Sequence, residues 1–219
     1  MQPMKTLCAT AAVSLAALGA PAAHADGVEV LNEGFDDVGA LAGWTFVNNS
    51  VPVGSTWFQG NAGIFPAQAG PADSYAAANF LGAANGLGDV DNWLITPVLN
   101  LSGTTTLSFY TRTDVPFSDH LEVRFYAGDG SDPSNFSTLL TTVGPTPGSY
   151  PLTWQQFTAD VASEGSGRFA FRYVGPVDTL NYVGLDTVSV VTAVPEPSAW
   201  IMLALGLGAL PILRRQARR

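Results

Sequence analysis

Carboxylates are the side chains in this sequence best able to do chemistry. Between residues 26 and 194 there are 17 Asp and Glu residues and four arginines, Arg112, Arg124, Arg168 and Arg172. Four minus 17 gives this segment a formal charge of −13. That charge repels a phosphate backbone, which argues against nucleic-acid binding. It also supplies the hard oxygen ligands that divalent cations prefer.

Other reactive side chains are few. Cys8 is the only cysteine, Lys5 the only lysine and His24 one of two histidines, and all three lie within the first 25 residues. If that stretch is removed, neither a cysteine nucleophile nor a Cys/His zinc site can form. His120 lies beside Asp119, but the chain has no G-x-S-x-G motif. Among 17 acids, spacing alone cannot select a glycosidase pair. We therefore predict that the protein is not an enzyme.

The first 25 residues have the order of a secretory signal peptide. Lys5 precedes an apolar run from Leu7 to Leu18, and Ala23-His24-Ala25 fits the small-x-small cleavage rule. We expect signal peptidase to remove residues 1–25 and the rest of the chain to be exported. A buried N-terminal helix is the alternative.

Residues 194–219 carry a second sorting pattern. Pro195-Glu196-Pro197 precedes an apolar segment, Trp200 to Leu213, and then come Arg214, Arg215, Arg218 and Arg219. A helix of this segment would reach about 21 Å, short of the roughly 30 Å hydrocarbon core, and the arginines favour a cytoplasmic end. This order resembles the PEP-CTERM sorting signal of Gram-negative bacteria. The resemblance implies an exosortase partner, removal of the tail at the inner membrane, and delivery to the cell surface or exopolysaccharide matrix. An ordinary C-terminal membrane anchor is the alternative.

Between these segments the sequence alternates with the period of β-strands. In "TTTLSFYTRT", Leu107 and Phe109 face one side, while Ser108, Tyr110 and Arg112 face the other. About eleven such runs are separated by turns rich in Gly, Pro, Asn and Asp. The pattern predicts one all-β domain over residues 26–193, an antiparallel β-sandwich of jelly-roll type.

Several motifs of this domain occur together in a familiar order: "NEGFDDVGALAGWTFVNN", "GSTWFQGN", "SYAAANF", "DNWLITPVLNLSG", "TLSFYTRT" and "VGLDTVSV". This order resembles the choice-of-anchor J domain, which is related to cleaved-adhesin and MAM-like jelly rolls. The resemblance covers most of residues 28–193, and it implies a structural metal near the ends of the domain.

The first and last strands of such a jelly roll lie side by side, so Glu33 and Asp36 could meet Asp186. We predict a structural calcium ion at these three residues, with Asp37 as an alternative to Asp36. Asp89 and Asp91 have the alternate spacing of a metal-binding loop but lack its final glutamate, so we favour their being turn residues solvated at a strand entrance. Asp129 and Asp132 are weaker metal candidates still.

We expect a structural or adhesive protein of an extracellular polysaccharide layer. A carbohydrate-binding module is the alternative, and a polysaccharide-processing enzyme is less favoured. Strand alternation nominates four aromatic residues for stacking on sugars: Tyr110, Tyr126, Trp154 and Tyr173. Three tryptophans are expected in the core or at a sheet edge: Trp44, Trp57 and Trp93.

Overall fold

The computed structural model of the protein describes residues 27–194. These residues form twelve strands and five short 3-10 turns. The strands are β1 (Val28–Glu33), β2 (Thr45–Asn48), β3 (Phe58–Gln59), β4 (Ala76–Asn79), β5 (Asp89–Ile95), β6 (Leu99–Leu101), β7 (Thr104–Thr113), β8 (Leu121–Tyr126), β9 (Thr138–Val143), β10 (Gln155–Ala162), β11 (Gly165–Pro176) and β12 (Tyr182–Thr192). No helix in this part of the chain is long and apolar enough to cross a membrane.

Two antiparallel sheets pack face to face. The first sheet has the order β10-β7-β12-β4-β3, with β1 also paired to β12. The second has the order β2-β5-β11-β8-β9, with β6 also paired to β11. Both sheets mix strands that are distant in the chain, as jelly rolls do. The predicted all-β sandwich is confirmed, and so is the pairing of first and last strands, with Val28 opposite Thr192 and Glu33 opposite Val188.

The core lies between the inner faces of the sheets. Leu107 and Phe109 on β7 face Phe171 on β11, and Phe109 meets Phe171 edge to face with 5.2 Å between ring centroids. The alternate residues of β7, including Tyr110, are only half-buried. The strand alternation seen in the sequence therefore gives the correct inward face, because successive side chains of a strand point to opposite sides.

One segment departs from the expected pattern at its start. We expected Asp89 and Asp91 in turns, but β5 begins at Asp89 and includes both. The turn assignment is wrong because the β11 segment from Val174 to Pro176 extends the ladder as far as Asp89, although Asp89 is exposed at the entrance of the strand, as expected. The run from Trp93 to Ile95 is buried on both faces, as predicted, and the ladder breaks near Pro97 before β6 begins.

The three tryptophans expected in the core, Trp44, Trp57 and Trp93, are indeed all buried. Both sorting patterns lie outside the described residues: the signal peptide, 1–25, and the segment that carries Pro195-Glu196-Pro197 and the four C-terminal arginines.

Candidate functional site

Two of the three residues predicted to bind calcium, Asp36 and Asp186, contact one loop, residues 66–74. Glu33 ends β1, and its Oε1 accepts a hydrogen bond from the Phe35 N–H at 2.8 Å. Asp36 accepts a hydrogen bond from the Ser74 hydroxyl. Asp186 accepts hydrogen bonds from backbone N–H groups of the same loop. The fold thus brings the end of β1 and an interior position of β12 to a common loop.

Asp186 holds this loop against β12. Its Oδ2 accepts from Gln68 N at 2.8 Å and from Ala69 N at 3.2 Å, and its Oδ1 accepts from Thr187 N at 2.6 Å and from the Thr187 hydroxyl at 3.3 Å. The strand bulges here, and Thr187 has a left-handed φ of 50°. Burial raises the pKa of Asp186, although the N–H donors oppose that rise.

These contacts fit a calcium ion only in part. Within residues 27–194 no three His, Cys, Asp or Glu side chains gather as a metal-binding group. Glu33 and Asp36 each have one carboxylate oxygen without a hydrogen bond among the described residues, whereas Asp186 already accepts four. A carboxylate has about four acceptor positions. Calcium binding at Glu33, Asp36 and Asp186 therefore stays a prediction.

A network of charges lies on the outer face of the second sheet. Arg172 on β11 donates from Nε to Asp91 Oδ1 at 2.7 Å and from Nη1 to Glu122 Oε2 at 3.1 Å. The same Glu122 oxygen accepts from Arg124 Nε at 2.7 Å. Burial alone would raise the pKa of Glu122, but the two arginines outweigh it and the pKa lies below its usual value. Three adjacent strands, β5, β11 and β8, supply this network.

Aromatic rings support the network from one side. The Arg172 guanidinium lies 5.0 Å from the centre of the Trp93 ring, and Trp93 Nε1 donates to Asp91 Oδ1 at 2.6 Å. Phe136, from the loop after β8, packs on Trp93 with 6.2 Å between ring centroids. Arg124 holds this loop by donating to the Phe136 carbonyl at 3.1 Å. The charged side chains are thereby fixed before any ligand arrives.

We call the depression at this place the arginine groove. It has a volume of about 410 Å³. Its lining combines two arginines with carboxylates, an amide, hydroxyls and aromatic rings: Asn49, Asp91, Trp93, Arg124, Asp132, Pro133, Ser134, Phe136, Ser137 and Arg172. The planar guanidinium groups can hydrogen-bond hydroxyl groups of a ligand, whereas Trp93 and Phe136 are buried and support the groove from beneath. The sequence did not reveal this groove, because its members come together only through strand register.

A larger groove, of about 700 Å³, lies between β2 and β3. Its polar groups are mostly engaged within the protein. Trp57 Nε1 donates to the Asn92 carbonyl at 3.3 Å, and the Gln59 amide bonds to Val38 N at 2.8 Å and to Phe35 O at 2.9 Å. Asp37 is the one charged residue in its lining, whereas four charged residues line the arginine groove.

The four aromatic residues nominated for sugar stacking lie in different places. Tyr110 is half-buried on the outer face of the first sheet. Tyr126 packs against Phe136, and Trp154 donates from Nε1 to the Pro66 carbonyl at 2.8 Å. Tyr173 is fully buried in the core. The assignment of Tyr173 to an exposed face is wrong because it lies two residues from Phe171 and shares its inward direction.

His120 and Asp119 are adjacent in sequence but point to different partners. His120 Nδ1 lies 3.2 Å from the Gly144 carbonyl oxygen, whereas the buried Asp119 accepts from Thr113 Oγ1 at 2.6 Å and from Asn181 N at 2.8 Å. The Tyr173 hydroxyl also donates to Asp119, and burial raises the pKa of Tyr173. Asp119 joins β7 to the loops around it and does not orient a catalytic histidine.

Comparison with known proteins gives a consistent result. Residues 28–190 match the family described as the cleaved adhesin domain. Hemagglutinin A of Porphyromonas gingivalis is 32% identical over 193 residues, covering 78% of this chain and 8% of its own length. Lys-gingipain W83 of the same organism is 31% identical over 193 residues, covering 78% of this chain and 10% of its own. The chain thus spans a tenth or less of these relatives.

Solved structures show the same likeness. The K1 cleaved adhesin domain of Lys-gingipain from P. gingivalis is 27% identical, with a TM-score of 0.60, and the match covers 75% of this chain and 99% of that domain. The K3 cleaved adhesin domain of the same protein is 26% identical with a TM-score of 0.56, over 76% of this chain and 99% of that domain.

Proposed function

This chain belongs to the cleaved adhesin domain family, and from that premise we propose that it is a non-catalytic adhesion domain exported to the surface of a Gram-negative cell. The observation that carries the proposal is the extent of the family match, which covers residues 28–190 and so nearly the whole sandwich. The relatives with this domain bear the names hemagglutinin and gingipain. The buried Asp119, apart from His120, fits a domain that binds rather than reacts.

We place the adhesive contact at the arginine groove. Asp91 and Glu122 balance the charges of Arg124 and Arg172. Asp132 also lines the groove and adds one negative charge, so the site disfavours an anionic ligand and its groups fit a neutral polysaccharide. Because ion pairs already fix the two arginines, binding orders few side chains, which lowers the entropic cost of association.

A glycan-binding assay tests this proposal. Purified protein is screened against neutral polysaccharides, and the Asn49→Ala/Arg124→Gln double variant is compared with Arg112→Gln. Arg112 is a matched control because its guanidinium lies 4.2 Å from the centre of the Phe65 ring, on the other sheet. We expect the double variant to lose binding while the control retains it. Equal binding by both variants, or no binding by the parent protein, would refute the proposed groove.

Calcium is a separate part of the proposal. A ligand that binds only the folded state raises the melting temperature. We expect calcium to raise the Tm, EGTA to reverse the rise, and Glu33→Ala or Asp186→Ala to abolish it. No rise at saturating calcium would remove the ion from this account and leave Asp186 as the residue that fastens the loop.

Export and sorting are proposed from the ends of the chain. Signal peptidase would remove residues 1–25, and an exosortase would recognise Pro195-Glu196-Pro197 and release the tail with its arginines. The destination would be the cell surface or an exopolysaccharide matrix. Mass spectrometry of the protein recovered from the cell surface tests this: peptides from Arg214 to Arg219 should be missing, and their recovery would instead indicate a retained anchor.

A further inference from the structure

The edge of the first sheet at β10 differs from the other open edges of the sandwich. β10 pairs with β7 over eight consecutive residues with no bulge, and within residues 27–194 it pairs with no other strand. Five of its eight residues are exposed. A strand edge of this kind presents a row of backbone donors and acceptors without partners.

The other open edges carry the features that usually prevent edge pairing. β2, β3 and β6 have four, two and three residues. β1 and β9 are each interrupted by a register shift, and β1 also carries Glu29 and Glu33. Short edges, bulges and charges all discourage pairing with a further strand. β10 has no proline, no lysine and no inward-facing charge, and its one outward charge, Asp160, accepts a hydrogen bond from Thr106 on β7 at 2.6 Å. Among the described strands it therefore has the longest open edge without a bulge.

We propose that β10 pairs antiparallel with β10 of a second copy of this chain, so that the two first sheets join into one. The sequence of the strand is self-complementary for such pairing. A two-fold axis beside Thr158 sets Thr158 opposite its own copy and Gln156 opposite Asp160. In this register no like charges face one another directly. Facing like charges would destabilise the pairing.

The inward side of the strand is compatible with the same register. Phe157 is half-buried and stacks on Phe109 with 5.8 Å between ring centroids. In the two-fold arrangement, Phe157 of one copy lies opposite Ala159 of the other, and a small residue leaves room for the ring. Contact with the second copy covers the remaining exposed part of Phe157. Such a dimer has the isologous symmetry that is commonest among soluble homo-oligomers.

Charge exchange at Thr158 tests the pairing directly. Sedimentation velocity of the purified chain is recorded over a wide concentration range in about 0.15 M salt, where the screening length of about 8 Å limits repulsion between two acidic bodies. We expect a concentration-dependent doubling of mass. Thr158→Lys and Thr158→Glu should each weaken the dimer about fivefold, the effect of about 1 kcal/mol of like-charge repulsion. An equimolar mixture of the two variants should restore it, because Lys then faces Glu.

Ser108→Lys is the matched control. Ser108 lies on β7 and is the cross-strand partner of Thr158. A lysine at position 108 therefore adds the same charge to the same face of the sheet without touching the β10 edge. We expect this variant to dimerise like the parent. A chain that sediments as a monomer at every concentration overturns the proposal. A dimer that resists both Thr158 variants, or a mixture that fails to recover, shows that the contact lies elsewhere and also overturns it.

Discussion

Replacing Glu122 with glutamine should reveal how much the charge network contributes to stability. Glu122→Gln keeps the shape of the side chain and removes the charge that faces Arg124 and Arg172. The side chains of the three residues are only 15–24% exposed. Exposed ion pairs contribute about 0–1 kcal/mol, and removing one partner of a fully buried pair costs about 3–5 kcal/mol. We expect an intermediate loss of about 2 kcal/mol, because Arg172 keeps its bond to Asp91.

Thermal unfolding at neutral and acidic pH measures this loss. At about 2–4 °C per kcal/mol for a domain of this size, the Tm of the variant should fall by about 4–8 °C at neutral pH. The pKa of Glu122 is lowered in the folded state. Its contribution is therefore present above the unfolded-state pKa and disappears as the pH falls through the folded-state pKa. Parent and variant should converge in acid.

Glu164→Gln is the control for this measurement, because Glu164 is exposed and accepts a single hydrogen bond, from Gly103 N at 2.8 Å. It should change stability by less than about 0.5 kcal/mol. If Glu122→Gln changes stability no more than this control, or if its effect is the same in acid, the network contributes no more than scattered surface charges and the argument is wrong.

Three further substitutions should have distinct effects. Asp186→Asn places an amide among N–H donors, so it should lower the free energy of unfolding measured in urea by about 1–3 kcal/mol. It should also speed proteolysis within residues 66–74. Slower or unchanged cleavage would contradict the role of Asp186 in holding the loop. Phe136→Ala should lower the free energy of unfolding by about 3–5 kcal/mol. It should also shift tryptophan fluorescence to the red, because Trp93 becomes exposed to water. An unchanged spectrum would mean that Phe136 does not shield the Trp93 ring. Gly144→Ala should destabilise strongly in thermal unfolding, because Gly144 has a φ of +73° and a Cβ there would lie 2.1 Å from the Asp119 carbonyl oxygen; a stable variant would refute that geometry.

Local patterns in the sequence were enough to predict the sandwich. Alternation identifies Leu107 and Phe109 as inward residues, and the pairing of β1 with β12 follows from the order of strands in a jelly roll. The error at Tyr173 has a local cause. Tyr173 keeps the parity of Phe169 and Phe171 in the same strand, so it faces inward and not outward with Tyr110 and Tyr126.

The arginine groove could not be predicted in the same way. Asp91 and Arg172 lie 81 positions apart, and Arg172 and Glu122 lie 50 apart. Their meeting depends on the register of β11 against both β5 and β8, which no local pattern specifies. The cover over Trp93 depends on how a loop folds back after β8, and Phe136 within that loop has no strand parity to reveal it. Alternation can assign a residue to a face, but it cannot identify the residues beside it.

The two proposed surfaces lie on different sheets, which leads to a final prediction. The arginine groove is on the outer face of the second sheet, whereas the β10 edge belongs to the first, so pairing through β10 leaves both grooves of a dimer open. Two linked sites that engage one surface can bind 10²- to 10⁴-fold more tightly than either alone, roughly speaking. Thr158→Lys should therefore leave binding of a short soluble glycan unchanged in calorimetry but weaken adhesion to an immobilised polysaccharide. Equal adhesion by parent and variant would show that one groove is sufficient, and loss of soluble-glycan binding would show that the substitution disturbs the groove itself.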